Sequence, residues 1–161
     1  MKILMVCLGN ICRSPLAEGI LQDMAFKQGL NWSVESAGTN HYHTGEAPHR
    51  LSQKVAKEHG IDISTQRARS FTAGDFKMYD KIYALAGDVL SEMKRIGGRE
   101  FNPDKTELLL EELYPGQERD VPDPWYGTEP GYHAAYDLIE KACEKIISRY
   151  ASQTAVTANS N

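Results

Sequence analysis

The apolar run Ile3-Leu4-Met5-Val6 leads straight into Cys7, and a Gly9-Asn10 pair, Arg13 and then Ser14-Pro15 follow at once. Four consecutive apolar residues read as a buried strand that ends on a cysteine. Gly9 and Asn10 are the residue types that most readily take unusual backbone angles, so the chain can curl there. Ser14 suits a helix N-cap and Pro15 the first helical position. A curled loop turns backbone N–H groups inward as an anion nest, and a helix starting there adds its positive end. The segment reads as a cradle for phosphate.

The residue types carried by this loop add chemistry. Cysteine is nucleophilic as the thiolate, a form favoured by a helix N-terminus and a neighbouring arginine. Arg13 offers a planar fork for two phosphate oxygens. Ser14 is placed to donate a hydrogen bond to the Cys7 sulfur. The bland alternative is a buried cysteine at a strand end with an arginine nearby by chance. Against it stand the strand, the Gly-Asn turn and the Ser-Pro helix start, which all agree.

A cysteine nucleophile of this kind needs a proton donor for the leaving group. Residues 120–127 read Asp-Val-Pro-Asp-Pro-Trp-Tyr-Gly, with Pro115, Gly116, Pro130 and Gly131 around them. Such punctuation marks a loop. Asp123, held between two prolines, is the candidate general acid and base, with Asp120 ranked second. Trp125 and Tyr126 can wall a substrate ring. The alternatives are a plain Asx turn and an aromatic pair folded onto the core.

The segment Val6-Cys7-Leu8-Gly9-Asn10-Ile11-Cys12-Arg13-Ser14-Pro15-Leu16-Ala17-Glu18 resembles the signature of the low-molecular-weight protein tyrosine phosphatases. Ser36-Ala37-Gly38-Thr39, Gly60-Ile61-Asp62, Ala68-Arg69 and Asp123-Pro124-Trp125-Tyr126-Gly127 follow in that family's order and spacing. The resemblance implies phosphotyrosine hydrolysis with Cys7 as nucleophile, Arg13 as phosphate clamp, Ser14 as thiolate stabiliser and Asp123 as general acid. It implies that Asn10 shapes the loop and that Cys12 traps an oxidised Cys7 as a reversible disulfide. Leu8, Gly9, Asn10, Ile11, Cys12 and Ser14, with Tyr42, Trp125 and Tyr126 at the rim, form the expected substrate surface. No cofactor and no metal are implied. The expected partner is a tyrosine-phosphorylated protein, tyrosine kinases included.

Four positions depart from the family pattern. Gln66 stands where a histidine often supports the loop asparagine, and Leu85-Ala86 replaces a Met-Asp pair. Pro48-His49-Arg50 is one residue short of a Pro-Asp pattern, and Tyr42 replaces a rim tryptophan. Three other functions compete. Thioredoxin-coupled arsenate reductases share the fold and loop but relay through cysteines near the third strand, and residues 81–89 contain none. Protein arginine phosphatases of the family carry Thr where Ile11 stands, and a branched apolar side chain fits an aryl ring better than a guanidinium. A binding-only phosphotyrosine module would be expected to lose Cys7 or the acid.

Composition excludes further classes. The 161 residues carry a net charge of −4, so there is no basic footprint for nucleic acid. No apolar run approaches the roughly 20 residues of a membrane span, and Ile3 to Leu8 is shorter than a signal-peptide core of about 7–15 residues. Three cysteines, without a disulfide framework, fit a reducing cytoplasm. His41, His43 and His49 lack acidic or cysteine partners at metal-ligand spacing and read as surface loop histidines. Arg67 and Arg69 either steer a dianion or form a solvated charge pair. Oligomeric state is not legible.

The remaining chain alternates helix and strand. Leu16, Ile20 and Met24 share a helix face running toward Gly29, and Trp32 to Ser36 alternates as a strand. Pro48 to His59 reads as a helix capped by Gly60, and Thr72 to Asp75 as the start of a short one. Lys81 to Leu85 is the third strand, Val89 to Ile96 a helix ended by Gly97-Gly98, and Thr106 to Leu110 the fourth strand. Tyr132 to Tyr150 is the last helix, with Cys143 structural in it, and residues 151–161 are expected to fray as a tail after a domain of residues 1–150. Alternation of this kind predicts a three-layer α/β/α fold with a four-stranded parallel sheet. The family resemblance implies the strand order 2-1-3-4.

Overall fold

Each residue of the first apolar run is buried on its own face of the sheet. The computed structural model describes the backbone of residues 1–158 and the side chains through Ala151. Strand β1 (Lys2–Cys7) pairs in parallel with β2 (Ser33–Gly38) on one side and β3 (Lys81–Ala84) on the other, and β4 (Thr106–Leu108) extends the sheet beyond β3. The order is β2-β1-β3-β4, as expected. Cys7 stands opposite Gly38, and Val6 opposite Ala84.

Alternate side chains of β1 serve two separate apolar layers. Ile3 and Met5 pack with residues of helices α1 (Arg13–Lys27), α2 (Arg50–Glu58) and α5 (Glu129–Ala158). Leu4 and Val6 pack with Phe76 of α3 (Asp75–Met78) and with Val89 and Met93 of α4 (Gly87–Gly97). All four are fully buried, each contributing about 1.5–3 kcal/mol of transfer free energy. Cys7 therefore ends a strand held rigidly from both faces.

Several boundaries differ from the sequence expectation. Helix α1 begins at Arg13 with Cys12 at its N-cap, so Ser14 lies inside the first turn and its hydroxyl serves Cys7 instead of the helix end. The run Thr106 to Leu110 is half strand and half 3-10 turn, because β3 ends at Ala84 opposite Leu108 and leaves no ladder for Leu109 and Leu110. Those two leucines bury themselves beside α5 instead. Helix α2 starts at Arg50 with His49 as its cap, and Gly60 takes φ 78° just beyond its end. Helix α5 runs from Glu129 through Ala158, across most of the stretch expected to fray; residues 159–161 of that expected tail lie outside the described residues.

Candidate active site

The loop from Cys7 to Arg13 lies at the carboxyl end of β1, which β2 and β3 flank on opposite sides. Open parallel sheets place ligands at such switch points. Asn10 takes φ 57°, the left-handed conformation that lets the loop curl. Its backbone N–H points to the Cys7 sulfur at 3.3 Å. Gly38 permits the loop to approach β2: a Cβ there would meet the Leu8 carbonyl oxygen at 2.9 Å and the Asn10 nitrogen at 3.0 Å.

The Asn10 side chain organises everything beneath the loop. Its amide donates to Ser14 Oγ at 2.8 Å and to Ser36 Oγ at 2.9 Å, and its oxygen accepts the Arg69 backbone N–H at 3.0 Å. Ser14 Oγ is 2.9 Å from Cys7 Sγ. Because Asn10 donates to the Ser14 oxygen, the Ser14 hydroxyl proton is free for the sulfur. Ser36 in turn donates to Glu18 at 2.7 Å. Burial pushes the Glu18 carboxyl up to about 7, against the lowering effect of that hydrogen bond.

Above the loop lies a cavity of about 250 Å³. Cys7, Cys12 and Arg13 contribute to its lining together with Gly9, Leu8 and Ile11; the far walls are Asn40, Tyr42, His43, Asp123, Trp125 and Tyr126. Tyr42 and Tyr126 are largely exposed at its rim. Arg13 is buried, donating through Nη1 to the Val121 carbonyl at 2.9 Å and holding Nη2 3.5 Å from Asp123 Oδ2. The other Asp123 oxygen accepts the Trp125 N–H at 3.1 Å. The Asx turn and the cavity-facing carboxylate thus coexist in one residue.

Asp120, the competing acid, accepts the Gly87 N–H at 2.8 Å at the start of α4 and does not line the cavity. It supplies a carboxylate beside Ala86, where the sequence departure had removed one. Gln66 does not reach Asn10; its amide donates to the Pro15 carbonyl at 3.1 Å. The Asn10 network is complete without it. Asn10 and Ser14, expected in the substrate surface, do not line the cavity and act on it from below. Arg69 pairs its guanidinium with Asp75 and Tyr79 while its side chain stays 37% exposed, and Arg67 bonds to the Ser64 and Gln66 carbonyls of its own loop.

Asn40 and His43 are cavity residues that sequence reading missed. His43 packs its ring 5.4 Å from Trp125 and bonds to Glu46. Its position one residue after Tyr42 was the available signal. Cys12 is buried, and desolvation pushes its thiol up to about 12. All three cysteines are free. Among the described residues no group of three or more His, Cys, Asp or Glu side chains could hold a metal, and no helix is long and apolar enough to cross a membrane.

Comparison with known proteins agrees with this geometry. The chain is similar to the low molecular weight protein-tyrosine-phosphatase YfkJ of Bacillus subtilis, with 33% identity over 149 residues covering 91% of this chain and 94% of that protein. A crystal structure of a protein tyrosine phosphatase from Entamoeba histolytica superposes with a TM-score of 0.86 at 34% identity, covering 96% of this chain and 99% of that one. A Drosophila arginine phosphatase superposes with a TM-score of 0.85 at 32% identity, covering 93% and 98%. A family model for low molecular weight phosphotyrosine protein phosphatase matches residues 2–158. With that match spanning the strand, the loop and the aspartate opposite Arg13, the chain belongs to the low molecular weight phosphotyrosine protein phosphatase family, whose members are phosphoric monoester hydrolases.

Proposed function

We propose that this protein hydrolyses phosphotyrosine in protein substrates through a cysteinyl-phosphate. The observation that carries the reading is the convergence of Cys7, Arg13 and Asp123 on one cavity with apolar and aromatic walls. The Cys7 thiolate attacks phosphorus in line with the departing tyrosine oxygen. Loop N–H groups and the Arg13 fork hold the three equatorial oxygens as their charge rearranges. Asp123 delivers its proton to the leaving phenolate, then takes a proton from the water that attacks the phosphocysteine. Ser14 donates to the sulfur and so eases its departure in the second step. Leu8, Ile11, Trp125 and Tyr126, all in the cavity lining, suit a flat aryl ring.

A second reading, phosphoarginine hydrolysis, draws on the similarity to an arginine phosphatase. Ile11 in the cavity wall offers a guanidinium no acceptor, which favours the aryl substrate. The free cysteines and thiol chemistry suit a reducing compartment, and we place the protein in the cytoplasm. The deciding experiment measures phosphate release from matched phosphotyrosine and phosphoarginine peptides in the presence of chelator, for wild type, Cys7→Ser and Asp123→Asn. Turnover of the phosphotyrosine peptide that disappears in Cys7→Ser supports the reading. Preference for the phosphoarginine peptide overturns the substrate assignment, and binding without turnover makes the protein a phosphotyrosine binder.

A further inference from the structure

His49 has no part in the chemistry above, yet it joins four elements around the cavity. Its backbone N–H donates to the Ile11 carbonyl of the phosphate loop at 2.7 Å. One turn later Ser52 Oγ donates to the Cys12 carbonyl at 3.1 Å, so the start of α2 is fastened to that loop at two points. The His49 ring stacks on Tyr132 of α5, with centroids 5.1 Å apart and an interplanar angle of 20°. Its edge meets Trp125 at 5.5 Å and 80°. Trp125 is two residues from Asp123 and gives its backbone N–H to that carboxylate. A rigid path therefore runs from the phosphate loop through one imidazole to the loop that carries the acid.

The state of the ring decides whether this path holds. Nδ1 accepts the Leu51 N–H at 3.1 Å and so caps α2, which puts the ring proton of the neutral form on Nε2. Protonation places a hydrogen on Nδ1, and the cap is lost. It also sets a positive charge at the positive end of a helix, beside Arg50. Arg50 on α2 is the charge that acts on the ring and Tyr132 on α5 stacks on it, with Cys12 beside the Tyr132 hydroxyl; His43, bonded to Glu46, packs on the same Trp125. Burial, and after it Arg50, holds the imidazole below its ordinary range, and the Tyr132 hydroxyl and Cys12 thiol remain neutral there.

We propose that His49 is a positioning residue: as the neutral imidazole it locks the acid loop onto the phosphate loop, and protonation releases that lock. The proposal rests on Asp123 being the general acid. It assigns to one side chain a share of the activity lost on acidification, separate from the titration of the reacting groups.

The test follows the Trp125 indole N–H by NMR from pH 8 to pH 5 in a Trp32→Phe background, beside kcat/KM profiles for an aryl phosphate. In the His49 wild-type protein the Trp125 signal is expected to move with a midpoint below 6.5, the ordinary histidine value. His49→Asn keeps a capping oxygen that does not titrate but loses the ring that meets Trp125. Beside His43, which also packs on Trp125, it is expected to remove the His49-dependent part of that movement. It is also expected to lower kcat/KM at pH 7.5 about threefold and to flatten the acid side of the profile, where wild type also loses the ring contact. His49→Ala, with neither cap nor ring, is expected to lose about tenfold in kcat/KM across the range. Superimposable profiles for wild type and His49→Asn, or a Trp125 signal indifferent to His49, would overturn the proposal. If Trp125 follows His49 while Asp123→Asn turns over normally, the lock stands and only the acid assignment falls.

Discussion

Arg13 Nη2 lies 3.5 Å from Asp123 Oδ2 while its Nη1 is bonded to the Val121 carbonyl, so the proposed phosphate clamp also holds the loop that carries the proposed acid. One buried guanidinium therefore links residues 108 positions apart. Lysine has a single ammonium and lacks the fork that serves both sites. Arg13→Lys is expected to cut kcat/KM by about 10²–10³, with kcat falling and KM rising. Steady-state kinetics on an aryl phosphate check this; a rise in KM with kcat unchanged would mean that Arg13 binds ground state and transition state equally.

Asn10→Ala removes three hydrogen bonds and leaves the buried Ser14 oxygen, Ser36 oxygen and Arg69 N–H short of a partner. The expected loss of stability is about 1–3 kcal/mol, with a larger proportional loss of turnover because Ser14 is no longer oriented toward sulfur. Denaturant titration and kcat measured on the same preparation separate the two effects.

Gly38→Ala places a methyl group 2.9 Å from the Leu8 carbonyl oxygen and 3.0 Å from the Asn10 nitrogen. Both neighbours are backbone, so the loop itself must shift. The variant is expected to fold, as judged by circular dichroism, and to bind inorganic phosphate at least tenfold more weakly, about 1.4 kcal/mol. Unchanged phosphate affinity would show that the loop tolerates a wider separation from β2.

Burial, only partly opposed by the Ser36 hydrogen bond, raises the Glu18 carboxyl to about 7, so the native state holds a proton there that the unfolded chain has released. By linkage that raises native stability at low pH and removes the gain as pH climbs from the ordinary carboxylate range through about 7. Glu18→Gln, which keeps an oxygen for Ser36, is expected to raise Tm at pH 8 by about 2–4 °C, or about 1 kcal/mol. Near pH 4 it is expected to change Tm little. Calorimetry at the two pH values tests the sign.

Cys12 and Cys143 are buried and their thiols are pushed up, so neither is a thiolate at neutral pH. Iodoacetate at pH 7 is expected to label Cys7 alone, and inorganic phosphate to slow that labelling. Peptide mass mapping reads the site directly. Comparable labelling of Cys12 would mean that the loop opens far enough to solvate it.

The backbone of the site was legible in the chain because its causes are local. Ile3 to Val6 read as a buried strand, Gly9-Asn10 as a turn, and the prolines around Asp123 as a loop; these follow from steric and burial preferences within a few residues. Tertiary packing decided which partners meet. Ser14 left the cap position for the sulfur because Asn10, held by Ser36 and Arg69 from distant segments, claimed its oxygen. Leu109 and Leu110 left the sheet because β3 had ended. His43 and His49, unremarkable as loop histidines, closed around Trp125 only when α2 and α5 brought the two loops together. Local preference determines where a chain can bend, whereas a hydrogen-bond or ring partner many tens of residues away is chosen by the packing that supplies it.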